Sequence, residues 1–421
     1  MTRFLFLLRG GLILTPVFLM LAVPAQAAIH HVRPGTRIAD AVHAAAPGDL
    51  IRIHAGRYDE GSIVIDKPLR IHGRGTVVID GGGTQGIFLV RADSVWIADL
   101  TLRNTGYSYT EDRAAVKATS ARFCRFERLR LEDTFFGIYL ARSARCIIRG
   151  NTLAGEARRE SASGNGIHSW YSDSLLIADN HTARHRDGIY LEFTRASVIR
   201  GNVSTGNLRY GLHFMFSDDD VYLDNTFTRN GSGVAVMYSR RIGMRGNRFH
   251  DNWGSASYGL LLKDISDSRI DSNSFVGNTT GVYAEGGSRL TVTRNEFLRN
   301  GWAIRLMANC TGNTFATNSF RRNSFDVATN STRNESWFTG NYWDSYRGYD
   351  IDRDGIGDVP YRPVRIFSYI VEKNPPAIIL LNSFFIAMLD VTERIFPTVT
   401  PETLKDARPL MREPDGRGTP A

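Results

Sequence analysis

A right-handed, single-stranded parallel β-helix with coils of about 22 residues is the fold this sequence predicts. Three observations carry it. A self-similar segment recurs through most of the chain, each copy alternates apolar and polar residues in very short runs, and no helix-length pattern separates the copies. Aligned on a small residue, the copies include GIYLARSARCIIRGN (137–151), GIHSWYSDSLLIADN (166–180), GIYLEFTRASVIRGN (188–202), GLHFMFSDDDVYLDN (211–225) and GVAVMYSRRIGMRGN (233–247). Starts fall 22 or 23 residues apart, with longer steps after 86, 137 and 233. Strands this short cannot bury a face alone, so coiling the chain to stack equivalent strands in parallel is the economical solution, with a rise of about 4.8 Å per coil. The Leu spacing of a leucine-rich horseshoe is absent, and propeller blades need about 40–50 residues.

The elements follow in order. Arg3 and Arg9, an apolar run over Gly10–Val23 and the small residues Ala25-Gln26-Ala27 form a secretion signal, residues 1–27, cleaved after Ala27. Residues 28–340 form the solenoid, opened by a capping helix over Ile38–Ala46 and a first strand at Leu50–His54. One residue after each small residue, Ile138, Ile167, Ile189, Leu212, Val234, Leu260, Val282 and Ile304 are expected to point inward and stack. The recurring asparagines, Asn151 through Asn295 and a second set from Asn230 to Asn323, mark corners where Asn accepts the left-handed conformation. Residues 341–374 form an Asp/Gly-rich capping segment. Residues 375–421 form a C-terminal unit whose apolar stretch, Ala377–Leu389, is too short to cross a bilayer.

Loss of Arg3 and Arg9 with the signal reduces the net charge from +8 to +6. The charges are scattered, which argues against a nucleic-acid partner. Three cysteines do not make a disulfide framework. Cys124 and Cys146 share a ladder position and are read, with Cys310, as core. There is no GxxxxGK[ST] phosphate loop.

Function on a solenoid resides on outward side chains in line. Two and four residues after the small residue stand His168 with Trp170, Tyr190 with Glu192, His213 with Met215, and Ala235 with Met237. Met215 and Met237 occupy one position in adjacent coils, and His213 lies on the same side. Thioether and imidazole donors suit Cu(I), a soft ion, so His213, Met215, Met237 and His168 are the candidate copper ligands for a transient site. An exposed strip that docks a partner, with Trp170 and Tyr190 in it, is the competing reading. His181 and His185 have helical metal-pair spacing but lie between repeats. Asp218-Asp219-Asp220 keep open an alternative, an extracytoplasmic polysaccharide-acting enzyme, although turn chemistry explains them as well. Asp350, Asp352, Asp354 and Asp358 around Gly355 are spaced like the first half of a calcium loop, with Tyr361 where the last ligand would stand, so a structural calcium is a candidate. Ile378, Leu381, Phe384 and Phe385 are candidates for docking to a membrane surface or a partner groove.

The signal, the repeats, GLHFMFSDDD followed by GVAVMYSRR, and GNYWDSYRGYDIDRDGIGDVPYRP (340–363) together resemble the NosD family over essentially the whole mature chain. The resemblance implies a periplasmic accessory protein and no catalyst. It implies assembly with an ABC-type transporter made of separate permease and ATPase subunits, which also brings it to the inner membrane. Copper from a membrane-anchored chaperone, with or without sulfur, would then reach the copper–sulfide centre of nitrous oxide reductase. No residue-level copper assignment comes with the resemblance.

Overall fold

The structure is a computed structural model that describes residues 27–108, 110–331, 334–381, 383–395 and 404–414. The secretion signal lies outside these residues apart from Ala27. Each coil contributes one longer strand to a 12-stranded parallel sheet running from Ile63–Ile65 to Phe325–Ala328, hereafter the main sheet. Two shorter strands per coil build the remaining walls. The β-helix expected from the repeat is the fold observed.

Register is strict because the period-2 alternation leaves only one face that can be buried. Ile138, Ile167, Ile189, Leu212, Val234, Leu260, Val282 and Ile304 pair coil to coil and are fully buried. On another wall Phe227, Phe249, Phe275, Phe297, Phe320 and Trp343 stack inside the barrel with ring centroids 4.1–5.5 Å apart. The corners are closed by asparagine. In Asn202, the backbone N–H and Nδ2 both donate to Oδ1 of Asn225, each at 2.9 Å, and Nδ2 also donates to the Ile177 carbonyl. The same pattern repeats from Asn151 to Asn341, so corner groups that water cannot reach are satisfied by the neighbouring copies.

Both ends are covered. Helix α1 (Ile38–Ala44) inserts Ile38 and Val42 into the first coils, and the Glu60 carboxylate accepts the N–H groups of Ile38 and Ala39. The first strand is Ile29–Val32, upstream of the position expected, and it pairs with Leu50–Ile53. At the far end the chain beyond the repeats returns to finish the solenoid. Asp406, wholly buried, takes the place of the next ladder asparagine: its Oδ2 accepts from Asn341 N (2.9 Å), Asn341 Nδ2 (3.0 Å) and Trp343 Nε1 (3.1 Å). The Asp-rich loop packs on this returning segment through Gly357 N–H to the Pro409 carbonyl, 2.8 Å. Helices α2 (Ile366–Lys373) and α3 (Phe384–Ile395) instead lie over the last strands of the main sheet. There Phe367, Val371 and Ile386 cover Phe325, and Arg305 pairs with Glu372 at 2.6 Å. Among the described residues no helix is long and apolar enough to cross a membrane.

Candidate functional site

The outward face of the main sheet carries three residue columns at its centre. One holds Asp187 and Tyr210. The second holds Tyr139, His168, Tyr190, His213 and Ala235, and the third holds Trp170, Glu192, Met215 and Met237. Met215 and Met237 are direct Cα partners on adjacent strands, both half-buried, so the two side chains leave the sheet as neighbours. The Tyr190 hydroxyl donates to Met215 Sδ at 3.5 Å.

Facing outward does not expose the second column. His168 and Tyr190 are 8% exposed and His213 is 4% exposed, contrary to the solvent-facing strip expected from alternation. Their rings pack in a row along the coil axis: His168 meets Tyr190 edge to face with centroids 4.9 Å apart at 74°, and Tyr190 stacks on His213 at 4.6 Å and 19°. Tyr210, in the adjoining column, closes over His213 with centroids 4.9 Å apart. The stack also divides the candidate copper ligands. Tyr190 stands between His168 and His213, which are therefore two coil steps, about 9.6 Å, apart along the axis. One ion cannot be shared across that span, so His213, Met215 and Met237 form one group and His168 stands alone. Burial draws the His168 pKa down to about 3 and lowers that of His213, keeping both imidazoles neutral, the form that binds metal.

Beside His213 lies a buried ion pair absent from the sequence reading. Asp187 is wholly buried on the outward face and held by Arg209, with Nε to Oδ1 at 2.9 Å and Nη2 to Oδ2 at 2.5 Å. Burial raises the Asp187 pKa, but the neighbouring His213 and then Arg209 outweigh it and draw it down to about 2. Asp187 Oδ2 lies 3.9 Å from His213 Nδ1, and neither His213 nitrogen has a hydrogen-bond partner among the described residues.

A second feature also escaped the sequence reading. Tyr171, Phe193, Phe216 and Tyr238 follow the third column in successive coils and stack at 4.4, 5.1 and 5.0 Å, nearly parallel. All four have φ near +50°, a conformation that costs an L-residue about 1–2 kcal/mol. The same turn position holds Asp264 and Gly286 in later coils. With their faces on one another, the rings present edges outward, next to Met215 and Met237. Trp170 abuts this row edge-on against Tyr171 and lies under the Arg142 guanidinium.

The remaining candidates fall as follows. Asp350, Asp352 and Asp354 bring carboxylate oxygens within 4.8 Å of one another, a hard-oxygen donor set that fits calcium. Asp358 is turned back to accept the Ile351 N–H at 2.7 Å and closes the loop. On the C-terminal hairpin Ile378, Phe384 and Phe385 are exposed, Phe384 by 84%, whereas Leu381 packs toward α2 and the sheet. Asp218 and Asp219 are paired with Arg240 and Arg241, and Asp220 points into the barrel, so the three carboxylates do not converge. His181 lies exposed in a strand while His185 is buried, and they make no pair. Cys124, Cys146 and Cys310 are buried free thiols.

Comparison with known proteins identifies the family and the fold. The family model described as periplasmic copper-binding protein (NosD) matches residues 154–348. A Pseudomonas aeruginosa protein named probable ABC transporter binding protein NosD is 33% identical over 387 residues, covering 87% of this chain and 89% of its own. A protein of the same name from Stutzerimonas stutzeri is 30% identical over 384 residues, covering 86% and 87%. Among solved structures, the family 28 exopolygalacturonase of Yersinia enterocolitica superposes with TM-score 0.55 at 10% identity, covering 77% of this chain and 79% of that one. The GH87 α-1,3-glucanase catalytic unit of Streptomyces thermodiastaticus gives 0.52 at 12%, covering 73% and 62%. Those two likenesses concern the β-helix alone. The extended identity to both curated relatives settles the family: this chain belongs to the NosD family of periplasmic proteins.

Proposed function

We propose that this protein carries Cu(I) as transient cargo on the main-sheet face and delivers it, with or without accompanying sulfur, for assembly of the copper–sulfide centre of nitrous oxide reductase. In this reading it takes copper from a membrane-anchored chaperone and works with the permease and ATPase of an ABC-type transporter. One observation carries the reading. Two thioethers, Met215 and Met237, are register partners in adjacent coils, with the neutral imidazole of His213 on the same face. Soft donors in a low-coordination group bind Cu(I) and leave room for an incoming ligand, so the ion can pass to a partner by exchange. The aromatic row beside the thioethers is where a copper-exchanging partner would seat. The apolar hairpin of Ile378, Phe384 and Phe385 would dock to the transporter. The Asp350–Asp354 loop would hold a structural calcium, separate from the soft site in place and chemistry.

The test is an anaerobic Cu(I) titration of the mature protein against a chromophoric competitor. Met215→Leu/Met237→Leu keeps volume and apolarity and should weaken binding at least tenfold, about 1.4 kcal/mol. Unchanged affinity in a folded double variant would remove the site.

A further inference from the structure

We propose that Asp187 is a positioning residue for His213, holding the imidazole as its Nδ1–H tautomer so that the Nε2 lone pair is turned to the thioether side. The inference rests on the copper reading above. Across the strand Tyr210–Met215 the outward order is Tyr210, His213, Met215, and Asp187 is the register partner of Tyr210 one coil back. His213 thus lies between a carboxylate column on one flank and a thioether column on the other. Its Nδ1 is the nitrogen near the carboxylate, 3.9 Å from Oδ2. The two ring nitrogens diverge, so a proton held toward Asp187 leaves the other nitrogen as the donor atom. Stacking on Tyr190 keeps the ring from turning over.

Asp187 is unusually well built for such a task. It is wholly buried, beside a column of stacked rings, and Arg209 grips both oxygens. Its Oδ1 also takes the Tyr210 N–H at 3.2 Å, which prevents rotation of the carboxylate. Arg186 Nε approaches Oδ2 at 3.9 Å. A carboxylate fixed on three sides, with its charge 3.9 Å from Nδ1 of an imidazole that has no hydrogen-bond partner among the described residues, favours the tautomer that puts N–H toward it. At 3.9 Å the carboxylate acts on Nδ1–H through its charge, without a direct hydrogen bond; where such a carboxylate hydrogen-bonds a metal-binding histidine, its removal typically changes metal affinity 10–100-fold.

The experiment is ¹⁵N NMR of histidine-labelled protein, which reads the tautomer directly, together with Cu(I) titration. The wild type should show His213 with Nδ1 protonated and Nε2 free. Asp187→Asn should shift that pattern and weaken Cu(I) binding 10–100-fold, while Met215→Leu/Met237→Leu should leave the tautomer untouched. Because Asp187→Asn leaves Arg209 without its counter-charge, Asp187→Asn/Arg209→Gln is the second variant: it removes both charges together. An Nε2–H tautomer in the wild type, or unchanged tautomer and affinity in a folded Asp187 variant, overturns the inference. If the wild type takes up no Cu(I), the copper reading fails, and the tautomer pattern still decides whether Asp187 orients His213.

Discussion

Asp220 offers the sharpest test of the interior. It sits in an inward ladder one residue before the second strand of each coil, with Ser197, Ile242, Ser268, Leu290 and Asn313 at equivalent positions. Oδ1 accepts the Ser197 N–H at 2.8 Å, but Oδ2 has no partner among the described residues and the side chain is sealed. Burial, assisted by the charges of Asp218 and Asp219, pushes its pKa from 3.8 up to about 8. A raised folded-state pKa means the acid stabilises fully below about 4, and that contribution is lost as pH rises through 8. Each unit is worth about 1.4 kcal/mol, so the whole displacement costs on the order of 5 kcal/mol at high pH. Asp220→Asn removes the titration and keeps the acceptor. Its Nδ2 can donate as Asn313 Nδ2 does to the Gly287 carbonyl at 3.0 Å. Urea unfolding followed by circular dichroism should show the variant more stable than wild type, with the gap widening by about 4 kcal/mol between pH 5 and pH 8.5. A gap independent of pH, or a variant less stable at both values, would refute the assignment of a buried protonated carboxyl.

Three further expectations test other parts of the molecule. Asn247→Ala leaves the Asn225 N–H without its acceptor, and should cost about 1–3 kcal/mol in urea unfolding, whereas Arg248→Ala on the exposed neighbour should cost no more than about 0.5 kcal/mol. Millimolar calcium should raise the thermal midpoint of wild type and leave Asp352→Asn/Asp354→Asn unmoved; a midpoint blind to calcium in both would reduce the loop to a turn. Phe216→Asn places a residue that tolerates φ near +50° in the aromatic row, so stability should hold or rise by up to about 1 kcal/mol. Cross-linking to the copper-exchanging partner should nevertheless weaken, and unchanged cross-linking would remove the row from the interface.

The sequence by itself determined the coil, its register and its corners. A repeat near 22 residues with period-2 alternation admits one buried face, so Ile189 over Leu212 and Asn202 over Asn225 follow from offsets alone. The adjacency of Met215 and Met237 was legible for the same reason. That His168 lies two coils from His213 was implicit in the same register, and only the Tyr190 ring between them made its consequence plain. Tertiary structure alone decided the rest. Alternation tells which way a side chain leaves the sheet and nothing of what leans over it, so the burial of His213 beneath Tyr210 and beside Asp187 and Arg209 could not be read off. The aromatic row carried a faint mark, one ring after each outward pair, but its meaning rests on a backbone conformation that residue identity does not announce. Asp406 had no periodic mark at all. It ends the asparagine ladder 65 residues beyond Asn341 because a carboxylate can accept what the last coil must donate, and an aperiodic contact of that kind forms only when the chain has folded back on itself.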